Sequence, residues 1–328
     1  MNAHGQIIQS SFKPAWWLTN PHLQTVWGSL SGRNEKLFLK RERIELPDGD
    51  FVDVDWAEPL IHSPNSPIVM VLHGLGGSIQ SHYAQGILQT IVNHGWRGMF
   101  MHFRGASGMP NRLPRTYHSG DTEDVNYISR LLSIREPKAT IMAVGYSLGG
   151  NVLLKWLAET GLNNPISKAV AVSVPFELHK AATRLTEGFS QFYQWVILRQ
   201  LREHLQQKFK MVKSPIDMQG LDNVKTFWQF DTLVTAPLHG FLDAHHYYAS
   251  SSTRPLIQHI QKPTLIIHAF DDPFMTPDCV PTAQELSPCI QLELTQQGGH
   301  VGFVAGTVPG RPIYWLEDRV MEYFLAGE

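Results

Sequence analysis

The chain is short of several things, and each shortage removes a class of protein. Only two of its 328 residues are cysteines, Cys279 and Cys289. Two cannot build a disulfide framework, and ten residues apart they match no zinc-binding spacing. The pair reads as reduced thiols. Charged residues make up 17% of the chain, below the roughly one quarter usual in globular proteins. Hydrophobic residues make up 43%, a balance that suits a sizeable core and argues against disorder. Neither sign of charge dominates, with 27 Lys and Arg against 29 Asp and Glu, so there is no general attraction to nucleic acid or anionic membrane. No run approaches the ~18 uninterrupted apolar residues of a membrane span. Residues 1–14 have neither the basic start nor the apolar stretch of a secretion signal. The expectation is a soluble, cytoplasmic protein with no stable membrane insertion and no nucleic-acid partner. Heptads, internal repeats and low-complexity tracts are missing too, which sets aside coiled coils and solenoids.

What is present is a periodicity that changes along the chain. At about 150 residues per domain the length corresponds to roughly two units, or to one large domain carrying an insertion. Residues 36–46 alternate apolar and charged, Pro47-Asp48-Gly49-Asp50 supplies a turn, and residues 51–56 alternate again, which predicts an antiparallel hairpin. Beyond a Pro/Ser/Asn linker the pattern becomes short, nearly continuous apolar runs at 68–72, 97–103, 140–144, 169–174 and 264–269. Such runs suit strands buried on both faces of a parallel sheet. Amphipathic stretches at 83–92, 121–134 and 152–159 separate them, and strand, helix, strand repeated along a chain means α/β with right-handed crossovers. Residues 176–261 break the alternation: no strand of this kind is found there, and Phe192, Val196, Leu198, Leu201 and Leu205 recur at helical spacing. The expected organisation is a single domain over residues 1–328 with residues 176–261 inserted as a helical lid.

The run at 140–144 leads into Gly145-Tyr146-Ser147-Leu148-Gly149-Gly150 and then a helical stretch. This is G-x-S-x-G between a strand and a helix, the nucleophile elbow of hydrolases. A serine at the apex of a strained turn needs glycine two residues before and after it, because neighbouring backbone comes too close for a side chain. The turn also sets the hydroxyl at the positive end of a helix, where developing negative charge is favoured. A second glycine loop, His73-Gly74-Leu75-Gly76-Gly77-Ser78, follows the strand at 68–72. It lacks the third glycine of a dinucleotide fingerprint and the Gly-Lys-Ser/Thr of a phosphate loop. It fits an oxyanion loop, with the N–H groups of Leu75 and Leu148 as the expected donors and His73 as a turn-bracing residue.

Sixteen histidines make any one of them unremarkable, but His300 lies in Gln297-Gly298-Gly299-His300-Val301-Gly302-Phe303 after the strand-like residues 290–294. Glycines there let a loop carry an imidazole over the sheet edge. Asp271-Asp272-Pro273 follows the strand at 264–269, where the acid belongs. Two adjacent aspartates cannot both face one ring; motif register favours Asp272 and leaves Asp271 a turn or hydrogen-bonding role. Ser147, Asp272, His300 is then the hydrolase order of nucleophile, acid and base. Such a triad needs no cofactor and no metal. His245-His246 suggests no metal site, since neighbouring histidines point to different sides of any regular element and no HExxH accompanies them.

In these residues the chain resembles the YheT-type branch of AB hydrolase family four, within the α/β-hydrolase superfamily. The similarity runs over nearly the whole sequence. It takes in Pro14-Ala15-Trp16-Trp17-Leu18-Thr19-Asn20-Pro21-His22-Leu23-Gln24-Thr25, His73-Gly74-Leu75-Gly76-Gly77, Phe103-Arg104-Gly105 and Tyr117-His118-Ser119-Gly120-Asp121. It continues through Gly145-Tyr146-Ser147-Leu148-Gly149-Gly150-Asn151, Asp271-Asp272-Pro273-Phe274 and Gly298-Gly299-His300. The resemblance implies an α/β-hydrolase fold and a serine carboxylic-ester hydrolase with the triad Ser147, Asp272 and His300. Animal members act on acylglycerols or phospholipids, but the lid is where such relatives differ most, so the substrate does not carry over.

The expected activity is hydrolysis of a small-molecule ester through an acyl-enzyme. An acyltransferase or thioesterase would use the same triad, and a non-catalytic binding module would have no need of all three residues. Phe192-Tyr193-Gln194-Trp195-Val196-Ile197-Leu198, continuing into Arg199, Arg202, His204 and Lys208, reads as a lid helix packed on the core, or as one that touches lipid or lines an acyl pocket. Phe230-Asp231-Thr232-Leu233-Val234-Thr235-Ala236-Pro237 also matches a family block and reads either as the pocket mouth or as capping and turn residues.

Overall fold

The computed structural model describes residues 4–31 and 37–326. Nine strands make one sheet: β1 (Gln6–Gln9), β2 (Leu39–Glu45), β3 (Phe51–Ala57), β4 (Ile68–Leu72), β5 (Arg97–Met101), β6 (Ile141–Tyr146), β7 (Ile166–Val172), β8 (Thr264–Ala269) and β9 (Ile290–Thr295). Their order is β1-β9-β8-β7-β6-β4-β5-β3-β2. Pairing is parallel from β1 through β5, and β3 runs antiparallel to both β5 and β2. A small hairpin, β10 (Val304–Ala305) with β11 (Ile313–Tyr314), stands apart.

The helices are α1 (Pro21–Leu30), α2 (His82–Asn93), α3 (Glu123–Arg135), α4 (Leu148–Thr160), α5 (Leu178–Arg184), α6 (Ser190–Met211), α7 (Phe227–Phe230), α8 (Ala236–His239), α9 (Ala244–Ser251) and α10 (Trp315–Leu325). Strand side chains alternate between the two faces they separate. Ile68, Met70 and Leu72 of β4 join Leu132 of α3 and Leu153 of α4 in one apolar cluster, while Val69 and Val71 join Ile87 of α2 and Val320 of α10 in another. The continuous apolar runs follow from this double burial. No helix among the described residues is long and apolar enough to cross a membrane.

The expected hairpin is β2 and β3, with Glu45 opposite Phe51; Lys36, where the alternation starts, lies outside the described residues. β5 ends at Met101, short of 103, and α3 starts at Glu123 because the Asp121 N–H closes a turn onto His118 O at 3.1 Å. β1 is not visible to periodicity: four residues at the sheet edge carry too little pattern. Between β7 and β8 the chain runs through α5 to α9 without a strand among the described residues, and these helices share an apolar cluster built on Leu198, Leu205, Phe227, Phe230 and Tyr247.

β4 lies between β5 and β6, so the chain leaves β4 toward one side of the sheet and leaves β6 toward the other. Such a reversal opens a crevice at the carboxyl ends of the strands. The turns at 73–77 and 145–149 both face it. Asn151, fully buried on the second turn of α4, ties this region to the end of the inserted helices. Its Nδ2 donates to Ser119 O (2.8 Å) and Ser251 O (2.7 Å), and its Oδ1 accepts the Thr253 hydroxyl at 2.9 Å. Asn151→Leu strands two carbonyls and a hydroxyl in the interior, at about 1 kcal/mol or more apiece. A loss of about 3 kcal/mol in unfolding free energy is expected from urea titration, and a loss below about 1 kcal/mol would show that this clamp is dispensable.

Candidate active site

β6 ends at Tyr146 and α4 begins at Leu148, which leaves Ser147 alone to make the turn at φ 52°, ψ −117°. A side chain at either flanking glycine would collide with backbone. A Cβ on Gly145 would lie 2.5 Å from Gly149 O, and one on Gly149 would lie 2.5 Å from both Leu72 O and His73 O. The loop after β4 therefore sits directly against the turn after β6.

That loop has its N–H groups assigned nearly to completion. Gly74 N–H donates to the Tyr83 hydroxyl (3.0 Å), Gly76 N–H to the Tyr117 hydroxyl (3.1 Å), and Gly77 N–H to Gly74 O (2.9 Å). Leu75 N–H is left without an acceptor among the described residues. Leu148 is the first residue of α4, so its N–H has no partner within the helix. His73 braces the loop as expected: Nδ1–H donates to Gly74 O at 2.7 Å and Nε2 accepts Phe103 N–H at 3.1 Å. Burial pushes its pKa down to about 3, and a neutral ring is what this donor–acceptor pair requires.

The structure brings Ser147, His300 and Asp272 into one hydrogen-bonded chain. His300 Nε2 lies 2.9 Å from Ser147 Oγ, and Nδ1 lies 2.8 Å from Asp272 Oδ2. Asp272 is 3% exposed, and its other oxygen accepts Phe274 N–H at 2.8 Å. The two neighbouring acids diverge. Asp271 Oδ1 accepts Gly299 N–H at 2.9 Å and does not reach the ring; burial raises its pKa. The Phe274 ring lies flat on the imidazole, centroids 3.9 Å apart and planes within 4°.

Sequence reasoning missed what holds the His300 loop. Thr25 on α1 accepts His300 N–H (2.9 Å) and donates to Pro21 O (2.7 Å). Gln24, fully buried, donates to Leu18 O (2.7 Å) and Val304 O (2.9 Å) and accepts Val304 N–H at 2.7 Å. Gly299, at φ 62°, has no room for a Cβ because Pro21 O is 2.5 Å away. The tryptophan-rich N-terminal block is thus a seat for the histidine loop. Its signal was in the sequence as a block of unusual composition, without any indication of what it touches.

A cavity of about 410 Å³ opens over Ser147 and extends beneath α5, α6 and α7. Leu75, Leu148, Phe274 and His300 line it at the serine, and Leu185, Ile197, Leu201 and Leu205 continue the wall. α6 splits its residues: Tyr193, Leu198 and Leu205 are buried, while Phe192 and Trp195 face outward. Lys208, one of the basic residues interleaved in that stretch, is buried at the cavity wall, where burial lowers its pKa to about 8. Asp231 lines the cavity and also ends α7, its N–H donating to Phe227 O and Trp228 O. Its carboxylate takes the Thr235 and Tyr248 hydroxyls at 2.5 and 2.6 Å across a π-helical turn, and burial raises its pKa to about 6. His245 packs its ring on Trp228 (4.7 Å) whereas His246 Nδ1 accepts Leu242 N–H (3.1 Å), so the two rings serve separate contacts.

Residues 67–307 match a family model described as alpha/beta hydrolase fold. Over 316 residues, 96% of this chain and 93% of the other, the sequence is 43% identical to the protein of Escherichia coli (strain K12) named "Putative esterase YheT". It is 25% identical to the human protein named "Phospholipase ABHD3" over 98% of this chain and 80% of that one. Among solved structures, the esterase Pf2001 of Pyrococcus furiosus superposes with a TM-score of 0.56 at 18% identity, covering 98% of both chains, which is a likeness of fold.

The backbone at Ser147 carries its own test. A non-glycine residue in this conformation costs about 1–3 kcal/mol, against about 0.4–1 kcal/mol of extra chain entropy that glycine loses on folding. Ser147→Gly is expected to unfold about 1 kcal/mol later than Ser147→Ala in urea. Equal stability of the two would mean that the turn holds no strain.

Proposed function

We propose a serine-esterase mechanism for this chain, which belongs to the α/β-hydrolase family. Ser147 Oγ attacks the carbonyl of a carboxylic ester while His300 Nε2 takes its proton. The oxyanion that forms accepts the N–H groups of Leu75 and Leu148, a stabilisation worth about 3 kcal/mol per donor in related sites. His300 then protonates the departing alcohol. Water, deprotonated by the same nitrogen, cleaves the acyl-serine and releases the acid. Asp272 keeps the proton on Nδ1 and stabilises the imidazolium in both halves of the cycle.

The observation that carries this reading is the continuous chain Asp272–His300–Ser147 at 2.8 and 2.9 Å, in a cavity lined by Leu75 and Leu148, whose N–H groups have no acceptor among the described residues. The names borne by relatives, esterase and phospholipase, support ester chemistry. Residues 176–261 act as a lid over the serine, and the apolar wall that α5 and α6 give the cavity suits an acyl chain.

Asp272→Asn should lower kcat/KM on p-nitrophenyl butyrate by about ten-thousandfold, because the amide imposes the wrong tautomer on the histidine. Asp271→Asn, which still offers an oxygen to Gly299 N–H, should cost less than about tenfold. Equal losses, or the reverse order, would remove Asp272 from the role. Ser147→Ala should abolish both turnover and fluorophosphonate labelling, and retention of either would defeat the mechanism.

A further inference from the structure

Lys208 lies near the end of α6 and lines the cavity with 3% of its surface exposed. A buried ammonium is costly unless both its hydrogens and its charge are answered. Its Nζ donates to Asn111 Oδ1 and to Arg115 O, the latter at 2.8 Å. The third hydrogen has no acceptor, and no carboxylate lies within ion-pair reach, among the described residues. Asp50 acts on Lys208 at longer range but is already held by Arg104 (3.1 Å), Asn111 Nδ2 (2.5 Å) and Arg112 N–H (2.7 Å). A cation with a spare donor and no counter-ion therefore borders the cavity over Ser147.

α6 relates that cation to the reacting atoms. Its first turn carries Tyr193, whose ring packs on Phe274, which in turn lies on His300. One and two turns later Ile197 and Gln200 cover the glycine loop, since a Cβ on Gly76 would fall 2.8 Å from Gln200 Oε1 and 3.9 Å from Ile197. Lys208 is eleven residues beyond Ile197 on the same helix, about 16 Å at 1.5 Å per residue. The helix thus runs from the histidine, past the oxyanion loop, to the ammonium. His300 protonates the leaving oxygen, so the alcohol lies on the histidine side, and the cavity that also holds Leu201, Leu205 and Lys208 is left for the acyl group.

We infer that the acyl group accepted here ends in an anion, a carboxylate or a phosphate seated on Lys208, which borders the same cavity as Ser147. The inference rests on the serine-esterase reading. It differs from a purely structural role, in which Lys208 would only tie α6 to the loop at 111–115.

The test compares kcat/KM for p-nitrophenyl esters of linear acids of graded length, each made with an ω-carboxylate, an ω-phosphate and a neutral ω-methyl ester. Wild type, Lys208→Arg and Lys208→Met are assayed, and the charged-to-neutral ratio is read because it does not depend on the fraction of enzyme folded. Wild type and Lys208→Arg should favour the charged form about tenfold or more over at least one range of chain length, and the larger ratio names the anion. Lys208→Met should show a ratio near one throughout. A wild-type ratio near one at every length overturns the inference, as does a ratio that Lys208→Met leaves intact, the outcome a structural role alone would give. If no ester is turned over, the esterase reading fails separately. Calorimetry of Ser147→Ala with the long ω-carboxylate and ω-methyl esters then reads the Lys208 site by itself, and equal affinity for the two overturns the inference.

Discussion

The contact on which the rest of the site depends is backbone against backbone, where the turn leaving β6 meets the loop leaving β4. Gly149 lies so close to Leu72 O and His73 O that no side chain fits between them. That approach seats the first turn of α4 against the loop that carries Leu75. It also forces Ser147 into a left-handed conformation that serine does not choose. Sheet topology makes the approach possible, because β4 and β6 are neighbours whose exits point to opposite sides. The parallel sheet, buried on both faces, supplies the rigidity that holds such a turn.

The imidazole reaches this point from the far end of the chain, and the chain's beginning receives it. Thr25, Gln24 and Pro21 O contact the His300 loop from α1, while Asp271 holds its Gly299 from the turn after β8. Two adjacent carboxylates thus divide the work: one orients the loop and the other orients the ring. Phe274, on the face of the ring, meets Tyr193 of α6, so the inserted helices and the histidine share a packed aromatic contact.

Much of this was legible in the sequence, and the residues explain why. The runs at 68–72 and 264–269 are strands because burial on two faces leaves no alternation to confuse. Ser147, Asp272 and His300 could be placed because each sits in a short motif whose glycines or proline follow from local geometry. What stayed hidden depends on contacts distant in the chain. β1 exists only because β9 offers an edge, the roles of Gln24 and Thr25 require the loop near 300, and Lys208 looks like any surface lysine until Asn111 and Arg115 are seen beside it. Asp231 belonged to a visible block, but its partners Thr235 and Tyr248 arise from a π-helical turn that no periodicity announces.

The central claim is that Ser147 becomes covalently acylated. The most direct measurement is intact mass after rapid acid quench of the protein turning over a p-nitrophenyl ester, followed by peptide mapping. The account predicts one acyl group per chain on the peptide containing Ser147, and none in Ser147→Ala. Steady turnover with no acyl adduct, or an adduct mapped to another residue, would contradict it.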